Sequence, residues 1–154
     1  MNEAVVAGAL TVAALNLAAA LIGTWVWTRG DVRGPVARAF WVALRIGQGS
    51  VLALAIALAS LAAAGHNASE DLFYLYALLP LAVAFVAEQL RVLSAQAVLD
   101  QRGLEGSTAV GRLPEAEQRG LVGEVLRREL GVMTISAYVV AGLALRAAST
   151  AHGF

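Results

Sequence analysis

The chain has no cysteine among its 154 residues. That excludes a disulfide framework, thiolate metal ligands and a cysteine nucleophile. Lysine is absent too: all 11 basic residues are arginine. With the abundant alanine, this reads as a GC-rich bacterial coding bias. Only 14% of residues are charged and the formal net charge is zero, so the overall balance gives no reason to expect a nucleic-acid partner. The chain also lacks a glycine-rich phosphate loop, an HExxH pair and a GxSxG elbow. Gly103–Gly111 has glycines and Ser107 but no lysine, and reads as a flexible connection.

What the chain has is hydrophobic length. Apolar residues make up 59% of it, with mean hydropathy +0.71, against about 45–50% in an ordinary soluble domain. The scarce charges leave four apolar runs, at about 4–27, 36–64, 72–99 and 125–147. Each of the first three exceeds the ~20 residues that a helix needs to cross a bilayer. The fourth is short and reads as borrowing Val125 and Leu126, with Arg146 snorkelling at its far end. The N-terminus has no positively charged flank and its apolar run continues to Trp27, so it reads as a retained helix and not a signal peptide.

The connections have their own chemistry. Gly30, Gly34 and Pro35 break the chain after the first run, and Pro35 suits the first turn of the next helix. The loop Gly65–Asp71 is acidic apart from His66, and Phe73, Tyr74 and Tyr76 read as an aromatic belt just beyond it. Pro80 interrupts the hydrogen-bond ladder of the third run. Residues 100–129 form the long polar connection. Within it Leu121, Val122, Val125, Leu126 and Leu130 make one apolar stripe, predicting an amphipathic interfacial helix that leads into the fourth span.

Arginine placement sets the expected orientation. Connection one carries Arg29, Arg33 and Arg38; connection three carries Arg102, Arg112, Arg119, Arg127 and Arg128; the middle loop and the N-terminus carry none. The expected architecture is therefore an all-α, up-and-down four-helix bundle in a bacterial cytoplasmic membrane. It forms a single domain over 1–154, with a cytoplasmic amphipathic helix before the fourth span and both termini outside.

The stretch 72–99 is the one around which the rest is expected to be arranged, because it places Glu88 and Arg91 inside an apolar run. An ionisable residue at membrane depth is a functional hypothesis by default. Arg38, Trp41, Arg45 and Gln48 share one stripe of the antiparallel second run. Counting about 1.5 Å per residue puts Arg45 and Gln48 level with Glu88 and Arg91, with Ser94 nearby. Three readings of this cluster stand side by side. It is a structural network, or a site for an anion, lipid headgroup or quinone that uses the surplus positive charge of two arginines over one glutamate, or a proton-coupling site at Glu88. Asn16, midway along the first run, reads as an interhelical hydrogen-bonding residue.

No span holds a histidine, so no buried haem or other cofactor is expected. His66 and His152 fall on the same predicted side and are weak metal candidates. With no catalytic constellation, the leading expectation is a non-enzymatic accessory or scaffold subunit. Its expected partners are membrane lipids and a second copy or another membrane protein. The alternative is a small transporter or binder of an anionic or amphiphilic ligand.

Overall fold

A computed structural model describes residues 2–69, 71–104 and 106–151. It has five helices: α1 (Asn2–Arg29), α2 (Pro35–Ala63), α3 (Asp71–Gln101), α4 (Gly106–Gly111) and α5 (Glu115–Thr150). The described residues contain no strand. Four of the helices, all but α4, are long and apolar enough to cross a membrane. The first three of these each end at a glycine with positive φ: 75° at Gly30, 83° at Gly65 and 64° at Gly103. A side chain there would oppose the left-handed turn that stops the helix.

The amphipathic stretch is not a separate helix. Residues 115–150 form one continuous helix of 36 residues, about 54 Å long at 1.5 Å per residue. After Pro114 no proline interrupts it, and Gly120, Gly123 and Gly131 lower helix propensity without stopping it. Its apolar stripe is divided: Leu121 and Leu130 are buried, Val125 and Leu126 are half-buried, and Val122 is exposed. Leu121 and Leu130 thus face this chain's other helices, and the amphipathic stretch continues without a break into the fourth long helix.

The helices surround one another in chain order, but the packing is uneven. α5 packs broadly on α1 and α3, α2 packs on α1, and α2 touches α3 only lightly. α5 is thus the hub, a place the sequence suggested for α3. Small residues explain this. Ala137, Ala141, Ala144 and Ala147 bring α5 close to Ala9, Ala13, Ala19 and Ala20 of α1, and all eight are buried. One core cluster gathers Phe40, Leu44, Leu130 and Met133 at the arginine-rich end. A second collects Val5, Leu58, Phe73 and Ala147 at the other.

Phe73 corrects the expected aromatic belt: it is fully buried. Its neighbour Tyr74 turns to the preceding loop, donating to Asn67 Oδ1 at 3.3 Å and accepting from the Ala68 N–H at 3.0 Å. Tyr76 lies under Arg146, with 5.7 Å between the guanidinium carbon and the ring centre. The two arginine-rich connections meet at one end of the bundle, where Arg33 donates to the Arg119 carbonyl at 2.6 Å.

Candidate functional site

The lightly packed α2–α3 seam is bridged by polar side chains. Arg45 of α2 donates through Nη1 to Glu88 Oε1 of α3 at 2.5 Å and to Gln48 Oε1 at 2.7 Å. Gln48 Nε2 donates to the same Glu88 oxygen at 3.2 Å. The other Glu88 oxygen lies 3.0 Å from Arg91 Nε, three residues along α3. The four sequence-selected residues Arg45, Gln48, Glu88 and Arg91 therefore form one cluster, with Glu88 at its centre. Ser94 stands apart, its hydroxyl donating to the Arg91 carbonyl at 2.7 Å.

Two further residues belong to the cluster. Glu129 of α5 approaches Arg91 Nη1 at 3.9 Å, and the Arg91 guanidinium lies 5.7 Å from the Trp41 ring centre of α2, within cation–π range. Glu129 changes the charge count. From sequence alone the cluster holds two arginines against one glutamate; the structure sets two against two, and the surplus positive charge is gone. A signal for Glu129 was present. It stands four residues after Val125 and four before Met133, on the inward stripe of what proves to be a single helix.

Exposure is graded across the cluster. The Arg45 side chain is 52% exposed, Arg91 30%, Glu88 27% and Glu129 18%. The Nε atom of Arg91 is itself buried, and its N–H lacks an aligned acceptor even though Glu88 is close. The Arg91–Glu88 contact is therefore Coulombic and not a linear hydrogen bond. Arg45, by contrast, is well aligned with Glu88 and open on its other side.

Asn16 is almost fully buried. Its amide donates to the Val12 carbonyl of its own helix at 2.9 Å and to the Gly47 carbonyl of α2 at 3.3 Å. Gly47 permits this approach, since a Cβ there would lie 2.8 Å from Asn16 Oδ1. Gly47 and Gln48 thus hold α2 to different neighbours: one to α1, the next to α3.

Compared with known protein families, curated proteins and solved structures, the chain shows no match. Function must be read from its own residues.

His66 is exposed in the α2–α3 loop, and His152 lies outside the described residues. Among the described residues no three His, Asp or Glu side chains converge as a metal site. A second polar network joins the ends of α3 and α5. Arg102 pairs with Glu124 at 2.7 Å, and Arg128 contacts Glu124 at 3.5 Å and Gln101 at 3.0 Å.

Proposed function

We infer that the chain is a multi-pass protein of the bacterial cytoplasmic membrane with both termini outside, serving as a non-enzymatic accessory or scaffold subunit. The observation that carries this reading is where the two kinds of side chain lie. Large apolar residues face outward on all four long helices, among them Leu21 at 57%, Ile56 at 59%, Phe85 at 67% and Ile135 at 62% exposed. In water such surfaces are costly, whereas lipid and neighbouring helices receive them without penalty. The charged residues inside the apolar length are spent on one another. Glu88 and Glu129 balance Arg45 and Arg91, so the cluster acts as a clamp on α2, α3 and α5. The outward helix faces are then what remains for interaction.

Fractionation and gentle extraction test this reading. The chain should leave the membrane only with detergent and run, by native mass spectrometry, with a second polypeptide at a fixed ratio. Recovery as a bare chain in every mild detergent would count against the accessory role.

The second reading is an anionic or amphiphilic ligand held at the cluster. It draws on the half-exposed guanidinium of Arg45 and on the unaligned N–H of Arg91. It ranks second because Glu129 neutralises the charge that would attract the ligand.

A further inference from the structure

Away from the Glu88 cluster, two cavities meet on the outer side of α5. The first, about 380 Å3, lies at the arginine-rich end and is lined by Trp27, Ser94, Glu124, Arg127, Arg128 and Gly131. The second, about 430 Å3, is an apolar groove between α3 and α5 that includes Leu79, Ala82, Val86, Leu90 and Ile135. Val132 lines both, so the arginine-flanked cavity and the apolar groove are neighbours along α5. From Leu90 to Leu79 the groove runs roughly 16 Å at 1.5 Å per residue, close to half of a ~30 Å hydrocarbon core.

The charges at the upper chamber are unequal. Of the residues lining it, Glu124 is the one carboxylate, against the guanidiniums of Arg127 and Arg128, and Glu124 is already paired with Arg102 at 2.7 Å and contacts Arg128 at 3.5 Å. Arg127 is exposed and has no ion-pair or hydrogen-bond partner among the described residues. The Trp27 indole leans over α5 at Gly131, where a Cβ would come 3.8 Å from Nε1. Trp27 and Arg127 therefore border the same cavity.

We propose that this composite cleft binds one anionic phospholipid of the inner leaflet. Its phosphodiester sits by Arg127, Arg128 and Trp27, and one acyl chain lies along the α3–α5 groove. Arginine suits phosphate because its fork of donors matches the phosphate oxygens. A tryptophan at headgroup depth presents an apolar ring and one polar N–H to the two sides of that boundary. The proposal rests on the membrane reading above and is independent of the accessory role. It uses neither Glu88 nor Arg45.

Native mass spectrometry of the detergent-extracted full chain tests it, with equimolar phosphatidylglycerol and phosphatidylcholine of identical acyl chains. The expected result is one retained phosphatidylglycerol per chain. Its retention should fall about fivefold in Arg127→Ala, the loss expected for one arginine near a lipid phosphate. Ala82→Trp should reduce it similarly by filling the groove, because Ala82 is exposed and its enlargement leaves the core alone. Arg38→Ala, which removes an exposed arginine elsewhere on the same end, should leave it unchanged. Equal retention of both lipids, or equal loss in all three variants, would overturn the proposal. So would displacement by millimolar inorganic phosphate with Ala82→Trp inert, which would assign the chamber to a free anion. A chain recovered without detergent would defeat the membrane reading itself, and that result is visible before any lipid is added.

Discussion

Glu129 of α5 stands 3.9 Å from Arg91 of α3, and through that contact the fourth long helix joins the cluster that bridges α2 and α3. Because α2 and α3 touch only lightly, their relative position depends on these side chains more than on a packed apolar interface. α5 packs broadly on α1 and α3 and supplies the fixed surface. Energetic sensitivity should therefore differ between the seam and the hub.

At the α1–α2 interface, Asn16 and Gly47 should be coupled. Gly47→Ala places a methyl group against the Asn16 amide and should cost about 1–3 kcal/mol, as overpacking does. Asn16→Ala alone should cost roughly 0.6–2 kcal/mol, the range for interhelical hydrogen bonds in membranes. Together the two should cost less than their sum, since removing the amide makes room for the methyl. Thermal unfolding in detergent of the four proteins in the cycle measures the coupling.

Gly23 offers a contrast within one residue type. A Cβ there would meet Thr134 Oγ1 and come 2.7 Å from Phe40 Cε2, whereas one at Gly142 meets nothing within 4 Å. Gly23→Ala should lower stability by about 1–3 kcal/mol. Gly142→Ala should be neutral or stabilising by up to ~1 kcal/mol through helix propensity. Reversible unfolding of the two variants in the same micelle reads the difference directly.

The continuity of α5 predicts a distance. Gly120 and Gly142 are both exposed on this helix and are separated by 22 residues, or about 33 Å at 1.5 Å per residue. Since the chain has no cysteine, spin labels at Gly120→Cys and Gly142→Cys would be the sole probes. Pulsed electron resonance should give a narrow distribution near that length. A helix that bends onto a membrane surface near residue 125 would give a shorter and broader one.

Much of the architecture was legible because its physics is local. Apolar run length located the four long helices to within a few residues, except at the start of the fourth. Depth counting from each arginine-rich connection put Arg45 and Glu88 at the same level. What escaped the sequence depended on rotation about the helix axis. Phe73 and Tyr74 are adjacent aromatics at a helix start, and nothing in their chemistry says that one turns into the core and the other to the loop. Glu129 ends the polar connection 100–129 and directly follows Arg127 and Arg128 in sequence. Its inward position follows only once residues 115–150 are known to be one helix. The hub position of α5 was hidden as well, since alanine faces suit lipid and helix alike.

The central claim is that Glu88 is the shared anion tying α2 to α3, and a double-mutant cycle of Arg45→Met and Glu88→Gln tests it most directly. Glu88→Gln should be the more damaging single change, because it deprives both Arg45 and Arg91 of their common partner; a loss of about 1–3 kcal/mol is expected from leaving charged groups unsatisfied. The account predicts that the double variant is less destabilised than the sum of the singles, with at least ~0.5 kcal/mol of coupling. Strict additivity in detergent-micelle unfolding, with neither single change altering stability, would contradict it.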